Sequence, residues 1–201
     1  MTKSELVSSV RQLILRQNPT QDSLKIAHPA VIEAEIAKAY STLLKTFYAN
    51  EINLMNADLD FYAKKFTETI KKDIDGVSYV DLPAKTVELR NNAGLRYVKP
   101  KGGEFSFIRV RENELDTIKK LDVYCCTKNV YYYIDGNRIV IDKTTKEHEI
   151  MEQVYIKLLP IFSEFLDDDN IEFPQGEVPA MQMILQTMGY RQTDNINDDV
   201  R

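Results

Sequence analysis

Residues 129–143 read NVYYYIDGNRIVIDK, two runs of β-forming residues on either side of Asp135-Gly136. Tyr, Val and Ile favour strands, and an Asp-Gly pair between two such runs favours a type I′ turn. The sequence therefore predicts a β-hairpin in which Asp135 and Gly136 are the two turn residues. A turn at that position places Tyr132 opposite Ile139.

The two faces of this hairpin differ in character. Directly opposed residues share a face. The first face is apolar and consists of Val130, Tyr132, Ile139 and Ile141. The second combines hydroxyl and guanidinium groups with apolar bodies, and consists of Tyr131, Tyr133, Arg138 and Val140. We expect the first face to line the core. We expect the second to pack under the N-terminal helices or to contact a partner, because such mixed surfaces are enriched at interfaces.

Helical periodicity precedes the hairpin. Residues 2–17 carry an apolar stripe at helical spacing, and Thr2 and Glu5 stand in the positions of a capping box. The segment that begins at Pro29 has the strongest helical pattern in the chain, and its proline is well placed at a helix start. The sequence thus predicts two N-terminal helices.

Strand patterns dominate the middle of the chain. Short alternating segments separated by turn signals extend from about 66 to 160, and two of them, 66–74 and 150–160, also fit a helix, although strand is favoured. The chain is expected to be α+β, with N-terminal helices, a central antiparallel β section (sandwich or barrel-like), a C-terminal helix and a polar tail. The predicted regions are an N-terminal helical region at 1–65, an antiparallel β domain at 66–160, and the acidic loop, last helix and flexible tail at 161–201.

Composition limits the classes of function. The chain has 201 residues, is 43% hydrophobic and has a formal net charge of -5, which argues against a general nucleic-acid binder but not against a local basic patch. The N-terminus lacks the apolar core of a signal peptide, and we expect a soluble protein that is intracellular when made. Cys125 and Cys126 are adjacent, which suits neither a disulfide nor a zinc site.

The sequence offers little catalytic chemistry. Asp167–Asp169 is the one carboxylate cluster, and it lacks the spacing of an EF-hand loop. His28 and His148 have no recognisable nucleophile partner. We therefore predict no catalytic residues, no metal site and no cofactor. Basic residues are denser than elsewhere in one stretch, where they could face phosphates or an acidic partner, although neighbours on a strand alternate sides: Arg90, Arg96, Lys99, Lys101, Arg109 and Arg111.

The last predicted helix is apolar around most of its circumference. It contains Met181, Met183, Ile184, Leu185 and Met188. Met-rich helices pack in cores and also serve at adaptable interfaces. The residues predicted to contact a neighbouring chain are Tyr131, Tyr133 and Arg138 on the hairpin and Met181, Ile184 and Met188 on this helix.

Two stretches carry a resemblance to a known family. Residues 75–100 read DGVSYVDLPAKTVELRNNAGLRYVKP, and residues 171–200 read IEFPQGEVPAMQMILQTMGYRQTDNINDDV. Their order, after N-terminal helices and on either side of a hairpin, resembles that of head-to-tail connector (neck ring) virion proteins of tailed bacteriophages, especially the crAss-like phages of gut Bacteroidetes. The resemblance covers most of the chain and lies in the order of its segments and in loosely defined sequence patterns.

The resemblance implies a non-enzymatic structural subunit. Many copies would form a ring below the portal, in the neck of a virion assembled in the host bacterial cytoplasm, and DNA would pass through without sequence-specific binding. Its partners would be further copies, the portal and other neck or tail proteins, with no membrane. Two alternatives stay open: a metal-dependent enzyme that uses Asp167–Asp169, and a cytoplasmic adaptor or binding module.

Overall fold

The computed structural model describes residues 1–17, 27–52, 59–102, 105–121, 128–143, 151–174 and 176–188. Within these ranges the fold is α+β, as predicted. The helices are α1 (Lys3–Gln17), α2 (Pro29–Ile52), α3 (Glu112–Ile118) and α4 (Glu177–Thr187). The strands are β1 (Lys64–Thr69), β2 (Lys71–Lys72), β3 (Ser78–Asp81), β4 (Leu95–Pro100), β5 (Ser106–Arg109), β6 (Asn129–Asp135), β7 (Arg138–Asp142) and β8 (Gln153–Leu158). Cys125, Cys126, His148 and the polar tail lie outside the described residues.

The chain forms two compact units. One consists of residues 1–58 and 161–201 and contains α1, α2 and α4; we call it the helical unit. The other consists of residues 59–160 and contains all eight described strands and α3; we call it the β unit. The first and last predicted regions of the sequence therefore contribute to the same unit.

The helical unit is held by apolar stripes and an aromatic cluster. Buried residues recur at helical spacing on α1 and α2, where they face one another: Leu6, Val10, Ile14, Ile32, Ile36, Tyr40 and Leu44. The Tyr40 ring packs edge-on against Phe165 and Phe173 at centroid distances of 5.7 and 5.8 Å. Burial raises the pKa of Tyr40 far above its ordinary value.

The capping box at the start of α1 forms as its spacing predicts. The Thr2 backbone N–H donates to Glu5 Oε2 at 2.8 Å, and the Glu5 backbone N–H donates to Thr2 Oγ1 at 3.2 Å. These bonds satisfy two groups that a helix leaves unpaired at its first turn. The hydrogen bond from the Thr2 backbone holds the pKa of Glu5 below its ordinary value.

The β unit contains two sheets. The smaller has strand order β1-β8-β4 and is antiparallel, and the larger has order β2-β3-β7-β6-β5. One pair departs from the predicted antiparallel arrangement, because β5 runs parallel to β6. A parallel pair requires a crossover connection, and the segment that joins these two strands includes α3.

Residues 64–69 and 153–158 are strands, as favoured over the helical alternative. They pair with each other in the register Phe66 to Ile156 and Glu68 to Val154. Each strand sends alternate side chains into one core shared by both sheets, which only a period of two allows. The buried members of this core are Val80, Ala84, Leu95, Val98, Val130, Tyr132, Ile139, Ile141, Met151, Val154, Ile156 and Leu158.

The hairpin forms, but its predicted turn is wrong by one residue. Asp135 pairs with Arg138, so Gly136 and Asn137 occupy the two central positions. Gly136 has a φ of 54°, whereas Asn137 is not among the residues with positive φ. A positive φ at the first central residue alone is typical of a type II′ turn, which favours Gly there. Tyr132 consequently opposes Ile141 instead of Ile139. The turn moves by one residue, so each residue's cross-strand partner changes by two positions. Because residues two apart on a strand lie on the same side, the predicted membership of the two faces is unchanged.

Candidate functional site: three surfaces of the β unit and the acidic loop

The second face of the hairpin is an outer surface of the five-stranded sheet. It combines predicted contact residues with neighbours on adjacent strands, and we call it the hairpin face: Tyr79, Asp81, Ile108, Tyr131, Tyr133, Arg138 and Val140. Arg138 lies over the Tyr79 ring at 4.5 Å, and its Nε is 3.6 Å from Asp81 Oδ1. Its side chain is nevertheless 53% exposed. Arg138 is therefore held in place by its own sheet and still accessible.

Helix α3 packs beside part of the hairpin face. Leu115 and Lys119 line a cavity of about 300 Å³ together with Tyr133 and Val140. Lys119 Nζ is 3.5 Å from Asp142 Oδ1. Burial, followed by the neighbouring carboxylates, raises the pKa of Tyr133. The intrachain packing expected for this face is thus supplied in part by a short helix of the β unit.

The loop between β2 and β3 presents an apolar side chain that the sequence analysis did not single out. Asp73 Oδ1 accepts hydrogen bonds from the backbone N–H groups of Asp75 at 3.0 Å and Val77 at 2.8 Å. The Gly76 N–H donates to the Asp73 carbonyl at 3.1 Å. At the tip of this braced loop, Ile74 is 100% exposed. The alternating pattern of residues 66–74 extended the predicted strand to Ile74, but the structure ends β2 at Lys72 and places Ile74 in the loop that Asp73 braces.

The last helix is divided between core and surface. Ile184 is fully buried within the chain (0% exposed), so it belongs to the core of its own unit and not to an accessible surface. The reason is that α4 packs against α1 and α2 along this side. Met181 and Met188 are half-buried. The most exposed apolar residue of α4 is Val178, at 68%.

The acidic loop, residues 166–170, caps the first turn of α1. The backbone N–H of Lys3 donates to the Asp169 carbonyl at 3.1 Å, and that of Ser4 donates to the Asp167 carbonyl at 3.1 Å. These N–H groups have no partner inside the helix. The loop therefore acts through its backbone oxygens, which a charge-based interpretation of the sequence does not consider.

The side chains of the acidic loop also serve its own geometry. Asp169 Oδ2 accepts a hydrogen bond from the Leu166 N–H at 2.6 Å. Lys3, only 8% exposed, donates from its Nζ to the Phe165 carbonyl at 3.1 Å. Within the ranges that the structure describes, no group of three or more His, Cys, Asp or Glu side chains could hold a metal ion. Nothing in this geometry favours the metal-dependent alternative.

The outer face of the three-stranded sheet is rich in lysine and tyrosine. On the central strand β8, Lys157 lies opposite Lys65 of β1 and Tyr97 of β4, and Tyr155 lies opposite Lys99. Lys101, just past β4, donates from its backbone N–H to the Gln153 carbonyl and continues the same face. We call this surface the lysine–tyrosine face: Lys65, Tyr97, Lys99, Lys101, Tyr155 and Lys157.

Cation–π contacts order the lysine–tyrosine face. Lys65 Nζ lies 3.6 Å from the centroid of the Tyr155 ring, and Lys99 Nζ lies 4.5 Å from that of Tyr97. At the border of the face, Asp60 Oδ2 is 3.6 Å from Lys157 Nζ, and its Oδ1 accepts a hydrogen bond from the nearby Arg96 at 2.8 Å. That hydrogen bond is the main reason why the pKa of Asp60 is lowered.

The dense basic stretch of the sequence is distributed over separate surfaces. Lys99 and Lys101 belong to the lysine–tyrosine face, Arg96 pairs with Asp60, and Arg109 Nη1 donates to the Asn92 carbonyl at 3.3 Å. The remaining lysines of the face, Lys65 and Lys157, come from β1 and β8, which are far apart in sequence. Alternation of Tyr155 with Lys157 on β8 and of Tyr97 with Lys99 on β4 was the available signal. Lys65 joins these residues only because β1 pairs with β8.

Comparison with known proteins gives no relative from which a role could be transferred. No protein-family model matches the chain. No curated protein matches it either. Among the helices that the structure describes, none is both long and apolar enough to cross a membrane.

Proposed function

We propose that this chain is a structural subunit of a tailed-bacteriophage virion that forms a neck ring below the portal, through which DNA passes. Its partners are further copies of itself, the portal and other neck or tail proteins, and it carries out no catalysis. The resemblance of residues 75–100 and 171–200 to connector proteins supports this function. The structural observation that supports it best is the braced loop that carries Ile74.

Ile74 has the properties of an anchor for a neighbouring copy. Its side chain is fully exposed, whereas the loop beneath it is fixed by hydrogen bonds to Asp73. A contact residue on an already ordered loop loses little conformational entropy on binding. An isoleucine inserted in this way meets a different surface on its neighbour, and such head-to-tail contacts generate rings when the rotation closes.

The Ile74 loop and the hairpin face form adjoining parts of one surface. Asp75 and Val77 line the same cavity of about 300 Å³ as Tyr133 and Val140. Val77 is itself 41% exposed. A neighbour that accepts Ile74 would therefore also meet aromatic and aliphatic groups of the kind enriched at interfaces.

The test is assembly of an Ile74→Asp variant. We expect light scattering across a concentration series, with electron microscopy of the same fractions, to show closed rings for the wild type and monomers for Ile74→Asp. Leu121→Asp is the matched control, because Leu121 is another exposed apolar residue of the β unit (54%) and its variant should still form rings. A wild-type chain that remains monomeric, or an Ile74→Asp variant that assembles fully, contradicts the proposal.

A further inference from the structure

We propose that the lysine–tyrosine face binds single-stranded nucleic acid, with its lysines on the phosphates and its tyrosine rings against the bases. This goes beyond the proposed function, which requires only that DNA pass through a ring. It does not depend on ring formation, since every member of the face belongs to the β unit of one chain.

The charge of the lysine–tyrosine face differs from that of the whole chain. The chain as a whole is acidic, with a formal net charge of -5, yet this one sheet face gathers four lysines. Lys65 and Lys157 stand directly opposite each other on neighbouring strands. Like charges in that position destabilise a sheet. Asp60 offsets part of this repulsion at Lys157, and Lys65 lies over the Tyr155 ring. The face nevertheless gathers more positive charge than this one carboxylate balances, and a bound polyanion would neutralise the excess.

The spacing of the lysines suits an extended phosphate backbone. Neighbouring strands lie about 4.8 Å apart, and alternate residues along a strand lie roughly 7 Å apart. The lysines thus occupy a patch that spans about 10 Å from β1 to β4 by this spacing. Lys65, Lys99 and Lys101 are all exposed, and Lys157 is 21% exposed. An extended phosphate backbone that crosses the three strands can meet these ammonium groups in turn.

The aromatic rings of the face favour single-stranded nucleic acid over other polyanions. Tyr97 and Tyr155 alternate with the lysines, and each has an ammonium group over its ring. Beside them is a groove of about 500 Å³ that Tyr97 and Lys99 share with Phe105, Phe107 and Arg109. A basic surface with interleaved aromatic rings is the usual platform for single strands, whose bases stack on the rings. An acidic peptide would use the lysines alone.

In the proposed complex the lysines change partner. In the free chain, Lys65 and Lys99 occupy the ring faces of Tyr155 and Tyr97. When a base stacks on a ring, the ammonium group moves to the adjacent phosphate. The bases of a duplex are already stacked and cannot do this, so the face should bind a single strand more tightly than a duplex.

The experiment is fluorescence anisotropy with labelled oligothymidylate at low salt, using fractions of defined size. The test variant is Lys65→Gln/Lys99→Gln/Lys101→Gln. The matched control is Lys45→Gln/Lys85→Gln/Lys120→Gln, which changes the net charge equally at exposed lysines elsewhere. We expect the test variant to lose on the order of tenfold in affinity. The slope of log affinity against log salt should also fall by about two, at about 0.7 for each lost phosphate contact.

A second variant addresses the rings. Tyr97→Leu/Tyr155→Leu keeps apolar bulk and all four lysines, and we expect it to lose the preference for oligothymidylate over a duplex of equal length. Acetylation of the wild-type chain, with and without oligothymidylate, should show protection at Lys65 and Lys99 and none at Lys45. This footprint requires no variant to fold.

Several results would overturn the inference. They are the absence of oligothymidylate binding at low salt, equal losses in the test and control variants, binding of a duplex or of polyglutamate as tight as that of the single strand, and a footprint outside the face. Each can occur whether or not the chain forms rings, so failure here is distinguishable from failure of the proposed function.

Discussion

The acidic loop and the lysine–tyrosine face are both concentrations of like charge, but the fold uses them differently. The acidic loop contributes two backbone carbonyls to the first turn of α1, and Asp169 fixes the loop through the Leu166 N–H. The lysine–tyrosine face instead places Lys65 opposite Lys157. The charged run of the acidic loop is thus explained by stability, whereas the lysines of the face gain only weak contacts with rings and one carboxylate, which leaves their charge available to a ligand.

The largest effect is expected where the acidic loop is anchored to the core. Phe162 is 2% exposed and packs against Tyr40 at a centroid distance of 6.3 Å. Phe162→Ala should lower the free energy of unfolding by about 3–5 kcal/mol, through lost burial and a cavity. The measurement is urea unfolding followed by circular dichroism. Phe61→Ala, at a residue 68% exposed, is the control and should stay within roughly 0.5 kcal/mol of the wild type.

A smaller loss is expected from the side chains of the acidic loop. Asp169→Ala removes the acceptor of the 2.6 Å bond from the Leu166 N–H and should cost about 0.5–2 kcal/mol, as for a lost helix cap. Asp168→Ala, at an exposed neighbour, should cost less in the same urea experiment. Equal effects at the two positions would mean that the carboxylates of the loop are simply solvated and that Asp169 has no special structural role.

A pH-dependent effect is expected at the border of the lysine–tyrosine face. The hydrogen bond from Arg96 lowers the pKa of Asp60 below the ordinary value of 3.8, so the folded chain favours the ionised carboxylate. Its contribution to stability is complete above that value and is lost as the pH falls through the lower folded-state pKa. Melting temperatures of the wild type and Asp60→Asn should therefore converge in acid. Arg96→Gln should remove most of the difference, and parallel curves would contradict the assignment.

The smallest effect is expected on the lysine–tyrosine face itself. Lys65→Thr loses a cation–π contact with Tyr155 worth about 0.5–1 kcal/mol at an exposed site. It also relieves repulsion by Lys157, which is worth roughly 0.2–1 kcal/mol. The two terms nearly cancel, so the free energy of unfolding should change by less than about 0.5 kcal/mol. A large loss in urea unfolding would show that the face is a stabilising element and would weaken the case for a ligand.

Local patterns predicted the elements of this fold more successfully than their pairing. The alternation in residues 129–143 identified both hairpin faces, because the side on which a residue lies depends only on parity. The turn was misplaced because Gly136-Asn137 and Asp135-Gly136 are both good turn pairs, and the choice fixes the register without changing the faces. The parallel pairing of β5 with β6 is a non-local property that no short pattern contains.

The same difference between local and non-local patterns decides which candidate surfaces could be predicted. Tyr131, Tyr133 and Arg138 were singled out because the hairpin is local, and the structure places them together on one face. Ile184 was assigned to a surface because the methionines beside it widened the apolar girth of the helix, but it is buried. The lysine–tyrosine face joins strands separated by most of the β unit, so its chemistry emerges only from tertiary structure.

The edge strands of the two sheets limit how copies of this chain can associate. Among the described strands, the four at the edges are short or charged. Strand β2 is only Lys71–Lys72, β5 is only Ser106–Arg109, β1 begins with two lysines, and β4 ends at Pro100. Lysines and prolines at such borders discourage the addition of a strand from another molecule. Cross-β aggregation of concentrated protein is therefore disfavoured at these edges, which favours recognition of a neighbour through side chains over pairing through the peptide backbone.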